Sequence, residues 1–147
     1  MKKINDSILR KVVINVSNIH GGGALQVAIS FLFELSMMKG STKSSIIILS
    51  SSAVNKGLIR LGFDYSSFKE YIVLDSIGIK AFVSSLNFKV YNADLCFTLF
   101  GPNYLVLNAK IEIIGFAQLW ILEFDNPVSR EMRFFSRIIL WFKYFIQ

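Results

Sequence analysis

Short apolar runs alternate along the chain with longer segments of mixed apolar and polar residues, and glycine stands at many of the joins. Val12–Val16 (VVINV) is rich in β-branched residues and almost unbroken in its hydrophobicity, which predicts a strand buried on both faces. Ala24–Lys39 predicts a helix. Its polar residues Gln26, Ser30 and Glu34 recur at every fourth position, a narrow stripe on an otherwise buried rod. Gly40 stands where the C-terminal cap belongs. Ser45–Leu49 predicts a second strand, Ala53–Leu61 a short helix ended by Gly62, Tyr71–Leu74 a third strand and Lys80–Phe88 a further helix. A fourth strand over Leu95–Leu99 closes at Gly101-Pro102, and a fifth over Lys110–Ile114 closes at Gly115. Ser129–Ile146 reads as a final helix.

Strands that alternate with helices predict an α/β fold: a Rossmann-like parallel sheet with helices on both faces. Ligands of such sheets bind beyond the carboxyl ends of the strands. Three loops lie there: His20–Gly23; Phe100, Gly101, Pro102, Asn103 and Tyr104; and Gly115 to Gln118, with Phe116 between. A chain of 147 residues fits one domain with a substantial core, and it contains no internal repeat, low-complexity segment or linker.

The segment NVSNIHGGGALQVA runs from a strand through Gly21, Gly22 and Gly23 into a helix. Without Cβ atoms these residues allow close approach, and the free N–H groups of the helix carry partial positive charge that favours phosphate or another anion. A tight turn with nothing bound needs only one glycine, so the run favours a ligand. His20 and Asn18 flank it. His20 fits two roles equally, a donor to phosphate or sugar hydroxyl and a solvated turn residue.

Several specific chemistries are excluded. The dinucleotide fingerprint G-x-G-x-x-G fails because Gln26 stands at its final position, and no acidic residue follows the second strand at Leu49-Ser50-Ser51. No Gly-Lys-Ser/Thr follows the glycines, so this is not a P-loop. His20-Gly-Gly-Gly resembles the oxyanion loop of lipases, but there is no G-x-S-x-G elbow and no second histidine to act as base. One histidine and one cysteine argue against a metal site built on them. Glu123 and Glu131 straddle Asn126-Pro127, so their spacing is a coincidence rather than a paired-glutamate motif.

Composition adds limits. Hydrophobic residues make up 53%, which excludes disorder. Transmembrane passage fails on run length, because Glu34 interrupts one apolar stretch and Arg137 and Lys143 interrupt another, short of the ~20 residues a span needs. The start at Lys2-Lys3 is followed by polar residues rather than the apolar core of a signal peptide, and Cys96 has no cysteine partner. These features predict a cytoplasmic protein. The net charge is +6 and is not spread evenly: from Arg130 to Gln147, Arg130, Arg133, Arg137 and Lys143 stand against only Glu131, with Phe134, Phe135, Trp141, Phe142, Tyr144 and Phe145 between them. On a helix that surface suits an anionic membrane face or a protein partner better than nucleic acid, whose stacking platforms usually sit on sheets.

The strand VVINVSN, the turn HGGGALQVA and the helix ending in MMKG resemble the start of a family 4-type glycosyltransferase. TLFGPNY and IIGFAQLWI, in that order, are similar to a bacterial surface-polysaccharide subgroup with a Phe-Gly-Pro turn and a Gly-Phe-Ala segment. The resemblance implies a GT-B architecture, in which an N-terminal domain holds a glycan or lipid-linked acceptor and brings its glycine loop near the donor phosphate. A nucleotide sugar is then a substrate, with no cofactor and no metal. Two such domains need about 300 residues, so the resemblance assigns residues 1–147 to the N-terminal domain, inactive alone and requiring a complementary C-terminal donor domain. The chain departs from members with a histidine after the fourth strand, since Leu99-Phe100-Gly101 stands there. The alternative is a non-catalytic Rossmann-like interaction module that uses the aromatic–basic C-terminal segment.

Overall fold

A computed structural model describes residues 11–39, 41–76, 92–105 and 107–116. Gly40, Gln118 and the helices predicted over Lys80–Phe88 and Ser129–Ile146 lie outside the described residues, and with them Arg130, Arg133, Phe134, Arg137, Trp141 and Lys143. Among the described residues five strands form one sheet: β1 (Val12–Val16), β2 (Ile46–Ser50), β3 (Glu70–Val73), β4 (Ala93–Thr98) and β5 (Ala109–Ile114). All neighbours are parallel, in the order β3-β2-β1-β4-β5. Two helices, α1 (Gly22–Met37) and α2 (Ser52–Arg60), flank it, and a short 3-10 turn at Ser41–Ser45 leads into β2. This is the α/β, Rossmann-like arrangement that the alternation of apolar runs predicts.

Alternation along the strands sorts the core into two layers. Ile14, Val16, Ile46 and Ile48 face the layer that holds Ala28 and Leu32 of α1 and Val54 and Leu58 of α2. A fully buried Leu or Ile of this kind contributes about 2 kcal/mol of transfer free energy. Gly57 lets the helices meet, because a Cβ there would collide with the Ile29 side chain. Phe63, Tyr65, Phe68 and Tyr71 form an aromatic cluster at the β3 side, with ring centroids 4.7 Å apart for Tyr65 and Tyr71. On the opposite face Val13, Ile47, Leu49, Ala93, Cys96 and Leu105 are also buried. Both described helices pack on the first face.

Two expectations about α1 need correction. It starts at Gly22 rather than Ala24, because the glycines supply its N-cap and first turn. Nor is it buried all round. Gln26, Ser30 and Glu34 are exposed as the stripe predicts, but Val27 and Met37 are exposed as well, since only the side bearing Ala28 and Leu32 rests on the core. Among the described residues no helix is long and apolar enough to cross a membrane.

Candidate functional site at the carboxyl edge of the sheet

β1 and β4 are neighbours, and the chain runs outward from them in opposite directions. Loops diverge at such a switch point and leave a crevice at the carboxyl edge. The β1 loop turns at Ser17-Asn18, with Ile19 N–H donating to the Val16 carbonyl at 3.2 Å, and buried Ile19 anchors it to the core. His20 and the glycines follow. Gly21 is the extended N-cap of α1, and Gly22 has φ +67, a conformation that costs any other L-residue.

No side chain caps α1, and its first turn holds no acidic residue. A Cβ built on Gly21, Gly22 or Gly23 would meet nothing within 4 Å. Gly21, Gly22 and Gly23 are exposed, and the first N–H groups of this 16-residue helix have no partner within it and no side-chain cap. The start of α2 is the opposite. Ser51 Oγ accepts from Val54 N–H at 3.2 Å and donates to the Ile19 carbonyl, while Asp75 accepts from Ser52 N–H at 2.8 Å and from Ser52 Oγ at 2.6 Å. Those bonds from Ser52, helped by His20 and Lys56, hold the Asp75 carboxyl below its ordinary range. His20 Nδ1 lies 3.5 Å from Asp75 Oδ1, and its Nε2 is shielded from solvent without a hydrogen-bond partner. His20 thus stands between an open helix start and a closed one.

Behind these loops runs a buried polar seam. Asn15, Ser17, Ser76 and Thr98 are almost completely withdrawn from solvent. Asn15 Nδ2 donates to Asn103 Oδ1 at 3.1 Å and to Thr98 Oγ1 at 3.4 Å. Asn15 Oδ1 accepts from Ser17 N–H at 3.1 Å and Ser17 Oγ at 2.7 Å, and the Ser17 and Ser76 hydroxyls are 2.6 Å apart. Asn103 Nδ2 reaches Glu112 Oε1 at 2.7 Å, which extends the seam to β5. Polar groups out of water are costly unless paired, so this seam fixes the loops after β1, β3 and β4 relative to one another and to β5.

The loop after β4 meets the β1 turn at Asn18 and the end of β5 at Gly115, by contacts that spend some of the candidate residues on architecture. Asn18 Nδ2 donates to the carbonyls of Phe100, at 2.5 Å, and Pro102, at 2.8 Å, so both amide hydrogens hold the β4 loop against the β1 loop. Gly101 N–H donates to the Gly115 carbonyl at 2.8 Å, and Gly115 N–H to the Thr98 carbonyl at 2.9 Å. A Cβ on Gly115 would collide with the Leu99 carbonyl oxygen, so that glycine serves close packing of chain on chain. Phe100, Pro102 and Tyr104 are half-buried and Phe116 is exposed. Among the described residues no three His, Cys, Asp or Glu side chains gather as metal ligands would.

Pattern reading missed Asp75, Ser52, Ser76 and the seam. One signal was present: Asn15 interrupts a strand otherwise built for burial, and a polar residue there needs partners. The partners come from sequence positions 83 and 88 residues away, which periodicity does not reveal. Comparison of the chain with models of known families, with curated proteins and with solved structures finds no match.

Proposed function

We propose that the open start of α1 binds the phosphate of a nucleotide sugar, and that the chain acts as the acceptor-side domain of a glycosyltransferase serving surface-polysaccharide synthesis. The observation that carries the phosphate part is the contrast between the two helix starts: α2 is closed by Ser51 and Asp75, whereas α1 presents bare N–H groups at a glycine-lined mouth. The order of HGGGALQVA, TLFGPNY and IIGFAQLWI supports the sugar-transfer part. In this reading Gly21–Gly23 approach the donor phosphate and His20, steadied by Asp75, contacts phosphate or sugar. Phe100, Tyr104 and Phe116 border the acceptor. The aromatic–basic sequence from Arg130 to Lys143 meets the anionic inner face of the cell membrane.

Calorimetric titration with pyrophosphate, UDP and UDP-hexoses tests the site. Gly23→Asp should abolish binding while leaving the unfolding midpoint unchanged or raised, because a carboxylate there repels the ligand yet complements the helix dipole. A wild-type protein that binds none of these phosphates, or a Gly23→Asp protein that binds them undiminished, would end the proposal.

A further inference from the structure

Parallel strands send α1 and α2 from the carboxyl edge of the sheet back to its amino edge, so the two helices end side by side. They meet where Gly57 faces Ile29. Lys43, in the turn before β2, lies between the two ends. Its Nζ donates to the Ser36 carbonyl in the last turn of α1 at 2.6 Å. The hydroxyl and N–H of Ser66, and then Lys43, hold the Asp64 carboxyl below its ordinary range just beyond α2. That helix ends at Gly62, φ +69, with Phe63 N–H donating back to the Leu58 carbonyl at 3.2 Å. The turn carries Phe63 into the core and leaves Ile59 and Leu61 outside. Four apolar side chains therefore stand out at this end: Met37 at 68%, Met38 at 63%, Ile59 at 60% and Leu61 at 49% exposed. Exposed Lys39, Lys56, Arg60 and Lys69 and half-buried Lys43 lie at this end or one turn from it, against Glu34, Asp64 and Glu70.

We propose that this end of the molecule seats on an anionic membrane, with Met37, Met38, Ile59 and Leu61 entering the boundary between headgroups and acyl chains. Cations and apolar tips alternate residue by residue, as in Met38-Lys39 and Ile59-Arg60-Leu61. A protein interface instead gathers its apolar residues into a core from which lysine is depleted. Lipid suits the interleaved pattern, because basic side chains lay their stems along the apolar layer and keep their charge at the headgroups. The excess of cations selects anionic lipid. It also argues against a second copy of the same surface, which would bring like charges together. The candidate site lies at the other end of the strands, roughly 17 Å away for five residues. It then faces the aqueous side, where a soluble phosphate ligand reaches it. This surface is separate from the Arg130–Lys143 sequence and does not rest on the phosphate reading of α1.

Site-directed fluorescence with vesicles tests this seating. An environment-sensitive nitrobenzoxadiazole label is placed on Met38→Cys or Leu61→Cys, and on Gln26→Cys near the far end of α1 as a control. Native Cys96 is buried, and the wild type treated with the label sets its background. Phosphatidylglycerol vesicles should brighten the labels at 38 and 61 and shift their emission to the blue. Phosphatidylcholine vesicles should not, and the label at 26 should respond to neither. Lys39→Glu combined with Arg60→Glu should raise the phosphatidylglycerol needed for half the response by about tenfold, because each basic residue near a charged surface adds to binding. Circular dichroism of each variant checks that the fold is intact. Labels at 38 and 61 that do not respond, whether or not the protein sediments with the vesicles, would overturn the proposal. So would an equal response at 26, an equal response to phosphatidylcholine, an undiminished response in the charge-reversed variant, or a response to polyglutamate in place of vesicles.

Discussion

The amide nitrogen of Asn15, in the central strand, donates to the side-chain oxygen of Asn103 in the loop after β4, 3.1 Å away. That oxygen also accepts from Leu105 N–H at 3.0 Å, and Asn15 Oδ1 accepts twice from Ser17. The floor of the candidate site is therefore a hydrogen-bonded seam rather than apolar packing. Asn15→Ala leaves the Ser17 N–H buried without its partner and removes the links to Thr98 and Asn103, and should lower stability by about 2 kcal/mol. Asn15→Asp keeps the shape but puts a charge at a fully buried position and should cost at least as much. Urea unfolding monitored by tryptophan fluorescence or circular dichroism measures both, and a loss under about 1 kcal/mol for Asn15→Ala would show that the seam carries little.

Neighbouring glycines should respond to alanine with opposite signs. Gly22 has φ +67, so Gly22→Ala strains the backbone and should destabilise by about 1–2 kcal/mol. Gly23 lies within α1, and its Cβ would meet open space, so Gly23→Ala should stabilise by about 0.5–1 kcal/mol. Thermal unfolding of the two variants checks the contrast. Equal shifts would mean that the loop does not hold the left-handed conformation at Gly22.

Asp75 should make stability sensitive to acid. Its carboxyl is held below the ordinary value, first by the Ser52 side chain and then by Ser52 N–H, with His20 and Lys56 adding to this. A lowered folded-state pKa means the contribution is complete above the unfolded value of about 3.9 and is lost as pH falls through the folded value. Asp75→Asn should therefore reduce stability at neutral pH and flatten its decline below pH about 4. Parallel acid-unfolding slopes for the two proteins would show that Asp75 titrates alike in both states.

Cys96 should be inert while the protein is folded. It is buried, and burial, reinforced by Glu112, pushes its thiol up to about 11. The thiolate is the reactive form, so an aromatic disulfide reagent at pH 8 should modify Cys96 only after unfolding in denaturant. Rapid modification of the native protein would show that the face of the sheet bearing Cys96 opens readily.

The sequence by itself determined the strands and α-helices among the described residues, but not the 3-10 turn at Ser41–Ser45. Short apolar runs gave strands at each expected place, shifted by no more than a residue or two, because period and punctuation are local properties of the chain. It also determined which loops reach the carboxyl edge, since parallel strands put every strand–helix junction there. The tertiary structure decided what those loops are for. Asn18 bonds to carbonyls 82 and 84 residues away, and Gly115 packs on Leu99 rather than facing a ligand mouth. Asp75 closes α2 and approaches His20 across residues that share no local pattern. Of the two described helices, α1 alone has no side-chain cap at its start. A helix start is open or closed according to which distant side chain the sheet order brings to it, and that depends on strand neighbours that are far apart in the chain.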